Sequence, residues 1–241
     1  YFKITDSVKE RLFADAEVAR EKAAPAINML DANNLAYKKL FYGPSEQRSI
    51  DTLERMLGEE QYRKVRNSLR DSGLRTGFTC LFYGTPGTGK TETVYQLAKK
   101  TGRKIIVADV SKLKNCFVGE SEKSLTKLFD DYRKCVKTMD IAPILLFNEA
   151  DAIFGIRQEG AQRAVDKMEN SLQNILLQEM EKLDGILIAT TNLTQNLDKA
   201  FERRFLYKVR FEKPSLETKS KIWLSMMPEL TESQAEELAR E

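Results

Sequence analysis

The sequence predicts an α/β protein built on a parallel sheet with helices on both faces. Three observations carry that expectation. Short β-rich runs recur at Phe78–Tyr83, Lys104–Val110, Pro143–Phe147, Gly185–Thr191 and Tyr207–Phe211. Most are apolar nearly throughout, as strands buried on both sides must be. Longer stretches of helical periodicity separate them, an alternation that favours parallel pairing through crossover helices. The first run also leads directly into a glycine-rich turn and then a helical stretch, Glu92–Lys100.

Three zones follow in order along the chain. Residues 1–72 read as a helical region and linker, with Val8, Leu12 and Phe13, then Ile50, Leu53, Met56 and Leu57, at helical spacing. Gly43-Pro44 interrupts this zone, and Ser45 is read as the N-cap of its second helix. Residues 73–212 hold the five strand runs and form the α/β domain. In residues 213–241, Lys213-Pro214 opens a helical zone in which Ser215 caps a run through Ile222-Trp223-Leu224 that Pro228 ends. A last helix is expected from near Thr231; no Glu stands three residues on, but Glu232 lies close to the cap. The chain starts at Tyr1 without Met and stops within a helical pattern, so it is read as a piece of something longer.

Composition removes several chemistries. The 241 residues include no histidine, so no Ser-His-Asp or Cys-His enzyme and no His-ligated zinc can be built. Cys80, Cys116 and Cys135 form no CxxC pair, which excludes a four-thiolate site and reads as reduced thiols of a cytoplasmic protein. No apolar run approaches the roughly 20 residues of a membrane span and no signal-peptide pattern opens the chain, so no membrane partner is expected. A net charge of +3 gives no global argument for nucleic acid.

Gly84-Thr85-Pro86-Gly87-Thr88-Gly89-Lys90-Thr91 fits G-x-x-x-x-G-K-[ST] between a strand and a helix. Its glycines let the backbone curl so that successive N–H groups point inward at phosphate oxygens. The following helix, beginning with Glu92, adds its positive N-terminal end. Lys90 is expected to bridge the β- and γ-phosphates of ATP, and the Thr91 hydroxyl to ligate Mg²⁺.

A hydrolysing protein of this kind needs an acidic residue at a neighbouring strand tip. The run Ile144-Leu145-Leu146-Phe147-Asn148-Glu149-Ala150-Asp151 supplies the strand, but Asn148 stands where Asp is expected. Glu149 follows and is positioned to polarise an attacking water. The Asn148 amide can accept from a metal-bound water yet brings no charge, so binding should survive and metal affinity weaken. Turnover is left open.

At this point the residues resemble the AAA+ ATPases, in particular the AAA family proper, from about Lys39 to Met227. Gly84–Thr91 looks like the AAA form of the phosphate loop. Lys114-Asn115-Cys116-Phe117-Val118-Gly119-Glu120-Ser121-Glu122 is similar to the aromatic–hydrophobic–Gly pore loop. Leu177-Gln178-Glu179-Met180 with Leu183-Asp184-Gly185 resembles the helix leading into the sensor strand, and Ala189-Thr190-Thr191-Asn192 its sensor-1 tip. Leu197 through Phe205 resembles the second region of homology, in the compact double-arginine form of katanin- and spastin-like members. The resemblance implies a P-loop NTPase with a five-stranded parallel sheet in 5-1-4-3-2 order, an incomplete helical lid, and a homohexameric ring with ATP sites between subunits. Two departures stand out: Asn148 in place of Asp, and no visible second-sensor arginine.

Roles follow from the chemistry and the resemblance together. A neutral amide at Asn192 can hydrogen-bond the γ-phosphate and the lytic water without repelling either. Arg203 and Arg204 lie where the family presents arginines to a neighbouring subunit's γ-phosphate, which makes activity depend on assembly. Phe117-Val118-Gly119, flanked by Lys112, Lys114, Glu120, Glu122 and Lys123, reads as an exposed loop that could grip polypeptide. Gly155–Gly160, with Arg157 and Arg163, reads equally as a second mobile loop or an ordinary solvated one. Tyr42, Gly43 and Ile222 occupy positions comparable to the family's base-contacting residues. The leading function is a Mg²⁺-dependent ATPase that remodels protein substrates through a ring pore. The alternatives are a weakly hydrolysing nucleotide-gated scaffold and, second, a DNA-associated AAA+ protein; nucleic acid is the less favoured partner.

Overall fold

The apolar runs become strands because their Ile, Leu and Phe side chains can be buried on both sides only by a sheet covered with helices on each face. The computed structural model describes residues 29–110, 120–155, 164–194 and 197–240. In chain order its elements are β1 (Met29–Leu30), a 3-10 turn (Ala32–Asn34), α1 (Pro44–Leu57), α2 (Glu59–Asp71), β2 (Phe78–Gly84), α3 (Lys90–Thr101), β3 (Ile105–Asp109), α4 (Glu120–Thr138), β4 (Ile144–Asn148), α5 (Asp151–Phe154), α6 (Ala164–Glu181), β5 (Ile186–Thr191), α7 (Lys199–Glu202), β6 (Tyr207–Phe211), α8 (Leu216–Met226) and α9 (Glu232–Arg240).

The sheet corrects the five-strand expectation. It has six strands in the order β1-β3-β4-β5-β2-β6 and is mixed. The addition is β1, antiparallel to β3, with Met29 opposite Ile106 and Leu30 opposite Ile105. Two residues are too few to show an alternating pattern, so nothing in the sequence marks this strand. The other five strands are parallel, with Cys80 of β2 facing Ile188 of β5 on one side and Tyr207 of β6 on the other.

From β2 the chain crosses to β3 in one direction, then returns through β4 and β5 to β6 in the other. Right-handed crossovers therefore put α3 on one face and α4, α6 and α7 on the opposite face. The contacts agree: α3 packs with α1 and the 3-10 turn, whereas α4 packs on α6. Leu81, Phe82, Ile144–Phe147 and Ile186–Ala189 are buried between these layers. Each of the Leu, Ile and Phe side chains among them contributes roughly 2 kcal/mol through removal from water. As the outer strand, β6 alternates instead, with Val209 and Phe211 inward and Lys208 and Arg210 exposed.

Below the sheet, at the amino ends of the strands, Arg103 is fully buried. It donates to Leu57 O (2.9 Å), Ala142 O (2.7 Å) and Glu59 Oε2 (2.8 Å), and lies 4.7 Å over the Tyr62 ring. One helix start differs from expectation, and another gains a capping partner. Gly43, not Ser45, is the N-cap of α1, because Pro44 suits the first helical position and Glu46 reaches back to accept from Gly43 N (2.6 Å). At α9, Gln234 fills the place where Glu was missing: Thr231 N donates to Gln234 Oε1 (2.9 Å), and Gln234 N to Thr231 Oγ1 (3.3 Å).

Candidate nucleotide site

The carboxyl ends of β2, β4 and β5 meet above the sheet, where the chain reverses its winding direction and open α/β sheets bind ligands. β2 ends on Gly84, with φ 136°, where a Cβ would stand 2.0 Å from Phe211 O; no other residue could pass so close to β6. Gly87 and Gly89 also take positive φ, 76° and 87°, and α3 begins immediately at Lys90. Lys90 is buried and donates to Gly84 O (2.9 Å) and Thr85 O (2.7 Å). Burial pushes its ammonium pKa down, while the charges of Asp151 and Glu149 oppose that fall. Thr85 Oγ1 is buried without a hydrogen-bond partner among the described residues.

The strand tips are tied to this loop and to each other. Thr91 Oγ1 donates to Asn148 Oδ1 (2.6 Å), and so does Thr190 Oγ1 (3.0 Å). Glu149 N donates to Thr190 Oγ1 (3.0 Å), and Glu149 itself is exposed with φ 50°. Asp151 accepts from Thr191 Oγ1 (2.5 Å), Asn192 N (2.8 Å) and Asn192 Nδ2 (3.2 Å). The loop from Pro86 to Glu92, Glu149 and the Thr190–Asn192 tip enclose one cavity of about 200 Å³. Burial works against ionisation of Glu92, but hydrogen bonds from Lys38 and Gln96 outweigh it and hold the carboxyl below its usual range.

A second cavity, about 400 Å³, shares Gly87, Thr88 and Gly89 and is walled by Phe41, Tyr42, Ile222 and Met226. Tyr42 is fixed there by its hydroxyl, 2.9 Å from Thr93 Oγ1, which itself donates to Gly89 O (2.8 Å). The phenol is therefore the donor, and burial pushes its pKa up to about 12, so it stays protonated. Gly43 does not line this cavity; its N–H is held by Glu46.

These donors suit a nucleoside triphosphate. A glycine-formed turn at a helix N-terminus, an ammonium and a hydroxyl match a polyphosphate, and the aromatic and apolar wall matches a base. Thr91 Oγ1, Asn148 Oδ1 and the Glu149 carboxylate are the hard oxygen donors that Mg²⁺ prefers. No group of three or more His, Cys, Asp or Glu able to hold a metal occurs among the described residues, so a cation here would depend on phosphate oxygens and water for the rest of its shell.

The two arginines do not join this cavity and are not equivalent. Arg204 Nη2 pairs with Glu181 and its Nη1 donates to Ala200 O (3.0 Å). Arg203 caps α7 with its backbone and has an exposed side chain with no hydrogen bond or ion pair among the described residues.

Residues 80–213 match the model of the ATPase family associated with various cellular activities (AAA). The chain belongs to the AAA family. It is 26% identical over 234 residues to proteasome-activating nucleotidase 1 of Haloferax volcanii, covering 88% of this chain and 55% of that protein. It is 31% identical over 158 residues to an uncharacterized AAA family ATPase of Sinorhizobium fredii, covering 64% of this chain and 44% of that one. With fidgetin-like protein 1 of Drosophila melanogaster the identity is 29% over 161 residues, 64% of this chain and 30% of the relative. This AAA chain thus spans about half the length, or less, of these curated relatives. In solved structures, a chain of the E. coli MS115-1 HORMA:CdnC:Trip13 complex has the same fold, with TM-score 0.65 at 21% identity over 80% of this chain and 72% of that one.

Phe117, Val118 and Gly119 lie outside the described residues, as do 156–163 with Arg157 and Arg163. Sequence reasoning assigned no role to Asp151, the residue that holds the tip of β5 in this AAA domain. Its signal was only a carboxylate three residues beyond Asn148, too generic to interpret without the partner strand.

Proposed function

We propose that the chain binds ATP with Mg²⁺ and hydrolyses it as the motor domain of an AAA assembly, a homohexamer, that remodels protein substrates. The observation that carries this reading is the single cavity bounded by the phosphate loop, Glu149 and the Thr190–Asn192 tip. In it, loop amides and Lys90 bind and orient the phosphates, and the exposed Glu149 carboxylate takes a proton from the attacking water. Asn192 presents a neutral amide to the terminal phosphate. Thr91 and Asn148 would hold Mg²⁺, which when bound neutralises charge developing on the phosphate oxygens. Arg203 would complete the site of an adjacent copy. A protein substrate is favoured by the Phe117-Val118-Gly119 triplet and by one relative's name, proteasome-activating nucleotidase.

ATPase rate measured against protein concentration, with oligomer size followed in parallel, tests this. Specific activity should rise as the oligomer forms; activity that stays constant on dilution to monomer refutes it. One observation favours the alternative of a slowly hydrolysing, nucleotide-gated scaffold: Asn148 adds no charge beside Thr91. Under the leading reading Asn148→Asp raises apparent Mg²⁺ affinity with a modest change in kcat. Turnover near zero in the parent and restored by that substitution would favour the scaffold.

A further inference from the structure

We propose that Asp151 is a positioning residue that sets which end of the Asn192 amide serves the nucleotide; this inference rests on the ATP-binding reading above. The two ends of an asparagine amide are nearly equal in size and opposite in hydrogen-bonding sense, one an acceptor and the other a double donor. A side chain meant to meet a terminal phosphate and the water beside it must therefore be told which way to turn, because reversing the amide exchanges the donor and the acceptor that those groups meet.

The carboxylate of Asp151 supplies that instruction. Ionised, it can only accept. Its Oδ1 takes the Asn192 backbone N–H (2.8 Å) and the Thr191 hydroxyl (2.5 Å), which locks the carboxylate to the tip of β5. Its Oδ2 then lies 3.2 Å from Asn192 Nδ2. The reversed amide would set oxygen against oxygen, so the carboxylate selects one rotamer. One N–H is spent on Asp151; the second N–H and Oδ1 are what Asn192 offers to the cavity it lines. Thr191 is held as well, since its hydroxyl donates to Asp151 and accepts from Leu193 N (3.1 Å).

Asp151 also opens α5, one turn beyond Asn148, whose amide oxygen receives the phosphate-loop Thr91 hydroxyl (2.6 Å). One four-residue stretch thus fixes the loop side of the cavity through Asn148 and the opposite side through Asp151. An amide at position 151 would reverse the selection, because the Asn192 N–H and the Thr191 hydroxyl still require its oxygen at the Oδ1 place, which leaves its NH2 facing the Asn192 side chain.

A double-substitution cycle of Asp151→Asn and Asn192→Ala tests the inference. Two readouts apply: single-turnover hydrolysis, and the ratio of affinities for a non-hydrolysable ATP analogue and for ADP by fluorescence titration. Asp151→Asn should slow hydrolysis about 10- to 100-fold, the range typical when an outer partner orienting a functional group is lost. It should reduce the preference for the triphosphate while leaving ADP affinity within about 2-fold. In the Asn192→Ala background the same substitution should cost less than about 2-fold more, since the group it orients is gone. If the parent hydrolyses too slowly to time, the affinity ratio completes the cycle unaided. Should Asp151→Asn fail to fold, Asp151→Ser runs the same cycle while retaining an acceptor. Penalties that multiply overturn the inference alone, whereas a parent that binds neither nucleotide overturns the underlying reading.

Discussion

Glu149 is the one non-glycine among the described residues with positive φ, 50°, and it sits at the centre of the proposed chemistry. A left-handed backbone crowds Cβ against the carbonyl and costs an L-residue roughly 1–2 kcal/mol. The side chain is exposed, and the N–H of the residue is held by Thr190. The position is therefore shaped for aiming a carboxylate at the cost of stability. Glu149→Gly should raise stability by about 1 kcal/mol, or about 2–4 °C in Tm for a chain of this size. The same substitution should abolish ATP hydrolysis while sparing nucleotide affinity. Thermal melts beside an ATPase assay check both halves, and a lower Tm would show that the left-handed geometry is not a source of strain.

At the scale of elements, α2 is joined to the start of β5 by Arg66 and Asp184. The guanidinium grips the carboxylate with both arms, Nε at 2.9 Å and Nη2 at 2.7 Å, and Thr76 Oγ1 adds a bond of 2.7 Å. Burial alone would raise the Asp184 pKa, but these donors outweigh it and hold the carboxyl below its usual range. A carboxylate depressed in the folded state contributes stability that is complete above its unfolded pKa, about 3.9, and disappears as pH falls through the folded value. Arg66→Ala should thus cost about 1 kcal/mol near pH 7, the pair being partly exposed, and progressively less below about pH 4. Urea titrations of parent and variant across that range read the gap; a gap that widens in acid contradicts the assignment. Arg103 belongs to the same end of the sheet, and there burial is complete. Arg103→Ala strands the Leu57 and Ala142 carbonyls, leaves Glu59 with Arg63 as its partner and should cost about 3 kcal/mol, with ATP affinity of the folded fraction unchanged because the site lies at the other end of the strands. Such linkages explain what was legible in the sequence. The parallel strands and the phosphate loop announce themselves through local runs of apolar residues and glycine spacing. The two-residue β1, the Gly43 cap and the grip of Asp151 on Asn192 depend on partners far along the chain, and no local pattern encodes them.

For the whole molecule, the arrangement around Arg203 and Arg204 leads to a test of how copies cooperate. Arg204 is committed within its own chain to Glu181 and the Ala200 carbonyl, and its backbone carbonyl accepts from Thr79 (2.6 Å). Arg203 alone offers an exposed guanidinium with no partner among the described residues, at the end of α7 and outside the nucleotide cavity of its own chain. If Arg203 serves an adjacent copy, each working site draws its phosphate loop from one subunit and its arginine from the next. Arg203→Ala should then lower assembled ATPase activity by about 10³-fold, the lower range for an arginine supplied in trans. Arg204→Ala should act chiefly on Tm, through the lost Glu181 pair. Lys90→Ala should be inactive for a different reason, since it loses the phosphates. Mixing Arg203→Ala with Lys90→Ala restores a complete site wherever an intact loop of the first meets an intact Arg203 of the second. Activity should therefore reappear on mixing two inactive proteins, and in proportion to mixed interfaces as the ratio is varied. No recovery under conditions where mixed oligomers are observed would confine each site to a single chain and remove the reason for assembly-dependent turnover.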